Sequence, residues 1–117
     1  MLIRLIVLLL FAGPSAPPSN VQGHSTSSTS IFVQWSNIPA NNQNGTVLNY
    51  TVIYKALPYG SPQTKAVNAP TTQVTLTGLN EYTNYSITAF ASYVQGNGKS
   101  SDPIVVITDE SSKLSSY

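Results

Sequence analysis

The sequence contains no cysteine, and only 8% of its 117 residues are charged. The lack of cysteine excludes disulfides, thiolate metal sites and cysteine nucleophiles. It leaves the cellular compartment open, because a domain with a hydrophobic core can persist outside the cell without a disulfide. The small charged fraction, against about 25% in an average protein, excludes a coiled coil, a long charged helix and an acidic tail.

Basic residues are also scarce. The formal net charge is +1, but Arg4 lies near the N-terminus and Lys113 near the C-terminus. Between Pro17 and Glu110 there are three lysines and four acidic residues, which gives this part of the chain a net charge of −1. Because no basic stripe is available to neutralise phosphates, nucleic acid is not an expected partner.

The polarity comes instead from 44 Ser, Thr, Asn and Gln residues. Hydrophobic residues make up 41% of the chain and include seven tyrosines, which favours a folded domain over disorder. A chain of this length can bury roughly two-thirds of its unfolded surface, enough for one hydrophobic core.

The two ends differ from the body of the chain. Residues 1–13 form a hydrophobic leader whose apolar run, Leu2 to Ala12, is shorter than the roughly 20 residues that span a bilayer, so no membrane span is predicted. One positive residue followed by a short apolar stretch is typical of a signal peptide; the alternative is the truncated end of a longer segment. Residues 111–117 are short and polar, and are predicted to be a flexible tail.

Apolar and polar residues alternate through the body, as in β-strands with one buried face. A short first strand is predicted near Asn20 to His24, and a weaker one near Thr64 to Val67. The other strands carry these alternating residues: Ile31, Val33 and Trp35; Tyr50, Val52 and Tyr54; Val74 and Leu76; Tyr85, Ile87, Ala89 and Ala91; Ile104 and Val106. Seven short strands separated by turn residues predict an all-β antiparallel sandwich.

Several motifs occur in a fixed order along these strands. They are Pro14-Ser15-Ala16-Pro17, then Trp35, then Asn44-Gly45-Thr46-Val47 ahead of Tyr50-Thr51-Val52-Ile53-Tyr54, then Leu79 six residues before Tyr85, and finally Ala91, Gly96, Gly98, Ser101, Pro103 and Thr108. In this order and spacing they resemble the fibronectin type III family. Two positions depart from the family pattern, since Glu81 stands where Pro is usual and Tyr93 where Asn is usual.

The resemblance implies a seven-stranded antiparallel immunoglobulin-like sandwich of the fibronectin type III type over residues 14–110. Tyr85 is expected to form the tyrosine corner, with its ring inside and its hydroxyl bonded to backbone just upstream. Trp35 is expected to pack across the sandwich against Tyr50. The implied core signature is Trp35, Tyr50, Val52, Leu79, Tyr85, Ile87 and Ala91.

The sequence offers no recognisable catalytic or metal-binding group. His24 is the single histidine and is expected in an exposed turn after the first strand, with no carboxylate predicted nearby. The acids Glu81, Asp102 and Asp109-Glu110 do not group, and one acidic pair supplies too few oxygens for Ca²⁺. We therefore predict no enzyme activity, no cofactor and no metal.

The segment Gln95-Gly96-Asn97-Gly98-Lys99 is a candidate binding loop, with a hairpin turn predicted at Gly96-Asn97-Gly98. It is not a phosphate-binding loop, because no helix is predicted after it. In several relatives within the family this loop carries an Arg-Gly-Asp adhesion motif. That motif is missing here, so integrin binding by this route is not expected.

Three N-glycosylation sequons are present, at Asn44, Asn49 and Asn84. Asn49 and Asn84 directly precede the inward-facing Tyr50 and Tyr85, so strand alternation turns both asparagines outward. All three are sterically usable if the chain is exported.

The outward positions of the third, sixth and seventh predicted strands carry Ile53, Phe90, Val105 and Ile107. These strands neighbour one another in the family fold, so the four side chains are a candidate interaction face. The alternatives are unrelated exposed residues, or coverage by lysine stems or by glycan. Phe32 points outward from the other sheet and is expected to be isolated.

The leading functional prediction is a non-catalytic extracellular module that contacts other proteins or neighbouring domains through loops 36–46, 68–73 and 94–100, or through this face. Such modules occur in adhesion and receptor proteins. A structural spacer is one alternative. A second is an accessory module of a secreted polysaccharide-degrading enzyme, for which exposed tyrosines at 59, 82 and 93 are candidate sugar platforms.

Overall fold

A computed structural model describes residues 16–38 and 45–111 of the protein. The predicted leader at 1–13, residues 112–117 of the predicted tail and the sequon residue Asn44 lie outside these ranges. The described residues contain no helix and form eight β-strands. The strands are β1 (Ser19–Ser27), β2 (Ser30–Ser36), β3 (Asn49–Ala56), β4 (Gln63–Asn68), β5 (Gln73–Leu76), β6 (Asn84–Tyr93), β7 (Gly96–Asn97) and β8 (Ile104–Ile107).

The strands form two antiparallel sheets. One sheet has the order β1-β2-β5, and the other has the order β4-β3-β6-β7 with β8 also paired to β6. This arrangement confirms the predicted all-β sandwich. The count is eight rather than seven because a short additional strand, β7, forms in the segment predicted as a hairpin turn; β7 and the last predicted strand, β8, both pair with β6.

The first strand is longer than predicted. It continues through the serine-rich stretch to Ser27, because cross-strand pairing persists at Ser25↔Ile31 and Ser27↔Ser30. The Ser25 hydroxyl also donates to the Ser27 carbonyl (2.8 Å). The prediction of a turn beginning near His24 was therefore wrong: His24 is exposed, but it lies within β1 with its ring 5.5 Å from that of Phe32. That contact also shows that Phe32 is not isolated.

Inward-facing residues of both sheets form one core. The seven residues of the core signature are all buried within it. Trp35 from one sheet meets Tyr50 from the other, with ring centroids 5.5 Å apart and planes tilted by 58°. Such a tilted contact is the arrangement that aromatic pairs prefer.

The tyrosine corner closes one end of this core. The Asn80 backbone N–H donates to the Tyr85 hydroxyl oxygen (2.7 Å). The fully buried Thr108 hydroxyl donates to the Asn80 carbonyl (2.7 Å) and accepts from the Thr83 N–H (2.9 Å). One buried threonine thus joins the end of β8 to the loop before β6.

The hairpin between β6 and β7 turns two residues earlier than predicted. Tyr93 pairs with Gly96, so the turn residues are Val94 and Gln95. Gly96 has φ +137°, which non-glycine residues rarely adopt, and it begins the returning strand. The predicted turn at Gly96-Asn97-Gly98 was therefore wrong, because Gly96 is required next to the turn rather than inside it.

The strand connections gather at two opposite ends of the sandwich. One end, which we call the upper pole, is formed by residues 16–18, 45–48, 69–72 and 94–95. The opposite end, which we call the lower pole, is formed by residues 28–29, 57–62, 77–83 and 108–111. Backbone hydrogen bonds tie each pole together, such as Ala69 N–H to Leu48 O (3.1 Å) above and Leu57 N–H to Asn84 O (2.8 Å) below. The described chain therefore begins at one pole and finishes at the other.

Candidate interaction surfaces

The outer face of the larger sheet carries the four predicted surface residues, but the strand register separates them into two pairs. Ile53 on β3 lies opposite Thr88 on β6, and Phe90 is the next residue of β6 that faces the same side. Ile53 and Phe90 are therefore diagonal neighbours. Val105 and Ile107 lie two residues apart on β8.

A polar row divides the two pairs. Ser86 is opposite Val105 on one side and Lys55 on the other, and Thr88 continues the same row of β6. Exposure differs as well: Val105 and Ile107 are 58% and 43% exposed, whereas Ile53 and Phe90 are half-buried. The face is therefore two separate apolar pairs rather than one continuous patch.

The upper pole brings together the three loops that were predicted to make contacts. Trp35 N–H donates to Thr72 O (3.0 Å) and Leu48 N–H donates to Ser92 O (2.8 Å). The side-chain amide of Gln95 lies against Gly45. The described parts of these loops consequently form one surface.

Two exposed apolar residues at this pole were not singled out from the sequence: Val94, which lies within the predicted contact loop 94–100, and Leu48, which lies outside the predicted loops. Val94 is 83% exposed at the tip of the β6–β7 turn, and Leu48 is 47% exposed beside β6. The available signal was Val94 itself, an apolar residue between a buried Tyr93 and the polar loop. Its exposure follows from the position of the turn, which begins at Val94 and not at Gly96.

The candidate binding loop at 95–99 is held by its own hydrogen bonds. The Ser92 hydroxyl donates to Asn97 Oδ1 (2.9 Å), and the Gly98 N–H donates to the Ala91 carbonyl (2.8 Å). A Cβ at Gly98 would lie 3.2 Å from the Tyr93 ring, so the loop packs closely there. Lys99 is exposed next to it.

Three tyrosines were predicted as a sugar platform, and the structure separates them. Tyr59 and Tyr82 are 94% and 63% exposed, and both lie at the lower pole. Tyr93 is buried, because it continues the inward-facing series of β6, so its assignment as an exposed platform was wrong.

Tyr50 lies in the upper end of the core, where its surroundings are largely apolar. Burial raises the pKa of Tyr50, a hydrogen bond with the Ile38 backbone lowers it in part, and the nearby Tyr93 raises it further. The Tyr50 hydroxyl donates to Asn37 Oδ1 (3.3 Å). These contacts fix the start of the loop between β2 and β3 on the core.

The described ranges show no constellation of catalytic or metal-ligating groups. Within them, no three His, Asp or Glu residues lie together as metal ligands would, and no helix is long and apolar enough to cross a membrane. A groove of about 900 Å³ runs between residues 16–21 and 99–104, where Lys99 and Asp102 are its charged residues. It contains neither histidine nor an acidic pair.

The two sequons within the described ranges differ in their surroundings. Asn49 is half-buried between Asn68 on β4 and Ser92 on β6, with which it is in register. Asn84 is exposed at the start of β6.

The family assignment follows from comparison with known proteins. The family model described as the fibronectin type III domain matches residues 16–107, nearly all of the described chain. The chain belongs to the fibronectin type III family. In this fibronectin type III domain the Tyr85 hydroxyl accepts from the Asn80 N–H, and Trp35, Tyr50 and Tyr85 are buried in the core.

Its relatives include large proteins of the cell surface. Protein sidekick-1 of Gallus gallus is 40% identical over 94 residues, which cover 79% of this chain. The cell adhesion molecule DSCAM of Gallus gallus is 38% identical over 83% of this chain, and the receptor-type tyrosine-protein phosphatase F of Mus musculus is 35% identical over 81%. The fibronectin type III domain spans only 4–5% of the length of these relatives.

Solved structures agree with the fold. A fibronectin type III domain of human contactin 1 superposes with a TM-score of 0.76 at 27% identity and covers 85% of this chain and 82% of its own. A fibronectin type III domain of human collagen XX gives 0.68 at 25% identity, covering 81% of this chain and 94% of its own.

Proposed function

We propose that this fibronectin type III domain is a non-catalytic interaction module of an extracellular adhesion or receptor protein. Its sequence relationship to a cell adhesion molecule and a receptor-type phosphatase supports this class of function. The two sequons within the described strands are compatible with export, because the side chains of Asn49 and Asn84 both lie on the outer face of a sheet.

The surface we favour for contact is the upper pole. The observation that carries this choice is that backbone hydrogen bonds and the Gln95–Gly45 contact bring three loops together at the pole where Val94 and Leu48 are exposed. The same pole exposes polar residues, including Thr46, Thr71 and Gln95. An apolar centre with a polar rim is the composition of an ordinary protein–protein interface.

The net charge of the body supports a contact of this kind. With three lysines against four acidic residues, the domain has no strong field to steer a charged partner. Affinity would then depend on close packing around Val94 and on hydrogen bonds from Asn, Thr and Gln side chains.

The proposal is tested by binding to intact cells with the full chain displayed as a fluorescent tetramer. We expect protease-sensitive binding that Val94→Asp reduces at least tenfold, because the change places a charge at the centre of the contact. Tyr59→Asp is the matched control, since it introduces the same charge at an exposed site on the lower pole and should leave binding unchanged.

Two other outcomes would redirect the assignment. Loss of binding with Phe90→Asp but not with Val94→Asp would move the contact to the Ile53–Phe90 pair. If the tetramer of the unsubstituted chain does not bind, and the same chain without the tetramer tag elutes as a monomer, the structural spacer would be favoured instead.

A further inference from the structure

The exposed apolar pair on β8 lies directly beside a glycosylation sequon. Asn84 is in register with Ile107, and Ser86, the third residue of the sequon, is in register with Val105. Side chains opposite each other in an antiparallel pair have Cβ atoms about 4.5–5.5 Å apart. Val105 and Ile107 are therefore the cross-strand neighbours of the sequon on its β8 side.

Strand β8 is a short edge strand without a charged residue, and only its lower end is tied to β1, where the Asp109 N–H donates to the Ser27 carbonyl (3.3 Å). Its four residues, Ile104 to Ile107, are all β-branched and uncharged, and within the described ranges it pairs with β6 alone. An exposed strand of this composition is a template for pairing with another chain. The edge strand β4, in contrast, carries the exposed Lys65 among polar residues, and a charge of that kind blocks edge-to-edge association.

We propose that Asn84 carries an N-linked glycan whose first sugars lie over Val105 and Ile107. The assignment rests on the proposed export of the chain. Asn84 Nδ2 would attack the anomeric carbon of the first N-acetylglucosamine of a lipid-diphosphate-linked oligosaccharide. A C–N bond forms, the bond from that carbon to the phosphate oxygen breaks, the lipid diphosphate leaves and one amide proton is lost.

The surroundings of Asn84 suit an attached sugar on both sides. Towards β3, the Leu57 N–H donates to the Asn84 carbonyl (2.8 Å), which sets the half-buried Leu57 beside the sequon. Towards β8 lie the exposed Ile107 and Val105. The acetyl methyl group and the C–H faces of N-acetylglucosamine can pack on these apolar side chains while its hydroxyls remain in water.

Asn49 provides an internal comparison on the same sheet face. It has the same sequon type and also precedes an inward-facing tyrosine. Unlike Asn84, it is half-buried and flanked by the polar Asn68 and Ser92, so a sugar there would cover no apolar pair. The geometry therefore favours a protective role at Asn84 and not at Asn49.

Occupancy is tested on the full chain secreted from mammalian cells behind an unrelated cleavable signal peptide. Peptide mass spectrometry after glycosidase treatment should find Asn84 converted to Asp, and Asn84→Gln should lose that signal while Asn49→Gln retains it. An unmodified Asn84 peptide in the secreted protein overturns the proposal. If the chain stays inside the cell when its own residues 1–13 replace the unrelated signal peptide, native export is contradicted but modification of Asn84 is not. Failure of the proposed export and failure of the proposed modification are therefore distinguishable.

Coverage of β8 is tested on the same material by NMR and by sedimentation. We expect nuclear Overhauser contacts between the first N-acetylglucosamine and the methyl groups of Val105 and Ile107. The Asn84→Gln protein, which is unglycosylated at this site, should show concentration-dependent self-association, and adding Val105→Thr with Ile107→Thr should abolish it. An Asn84→Gln protein that stays monomeric, or a sugar without contacts to these methyl groups, refutes the protective role.

Discussion

The hydroxyl of Tyr85 makes a single defined contribution that substitution can isolate. Tyr85→Phe keeps the buried ring but leaves the Asn80 N–H without its 2.7 Å acceptor. An unsatisfied buried donor costs about 1–3 kcal/mol. Because Asn80 itself is exposed, water can solvate part of the freed N–H, and the expected loss is about 1–2 kcal/mol. For a domain of this size, this corresponds to a fall in Tm of roughly 4–16 °C.

The assay is urea and thermal unfolding followed by circular dichroism, with two matched tyrosine controls. Tyr59→Phe removes the same atom from a side chain that is 94% exposed, and should change stability by no more than about 0.5 kcal/mol. Tyr93→Phe removes a buried hydroxyl that has no hydrogen-bond partner among the described residues, and should be neutral or stabilising. If Tyr85→Phe were as mild as Tyr59→Phe, the account of the corner as a stabilising contact would be wrong.

Two further substitutions probe the upper end of the core. Trp35→Ala should cost about 3–5 kcal/mol, because the lost ring leaves a cavity against Tyr50; a loss below about 1 kcal/mol in urea unfolding would contradict this packing. Since burial raises the pKa of Tyr50, the unfolded state releases that proton first, and stability should fall as the pH rises past about 10. Tyr50→Phe should flatten this fall in unfolding titrations, and identical pH profiles for both proteins would argue against the shift.

The sequence predicted the fold and the core because both depend on alternation within single strands. Trp35, Tyr50 and Tyr85 each lie on an alternating apolar series, and their burial needs no knowledge of which strands pair. The alternating series of β6 that contains Tyr85 continues to Tyr93, so the same pattern could have shown Tyr93 to be buried. Tyr93 was instead predicted to be exposed, as one of three candidate sugar-binding tyrosines.

The surface was less predictable because it depends on pairing between strands. Alternation places Ile53 and Val105 on the outer face, but only the register puts Ser86 and Thr88 between the two apolar pairs. The position of the β6–β7 turn depends on the φ of Gly96, and composition alone placed it at the wrong residues. In the serine-rich part of β1, pairing with β2 overrides the turn preference of single residues.

The placement of the first and last strands has a mechanical consequence. Residues 16–18 lie at the upper pole and residues 108–111 at the lower pole, so tension applied between them acts along the axes of β1 and β8. Those strands are held sideways by rows of hydrogen bonds to β2 and β6, and the Asp109 N–H also bonds Ser25 Oγ (3.0 Å). Stretching the domain would load these bonds together in shear instead of opening them one at a time, so a domain in this orientation can carry load between its two ends.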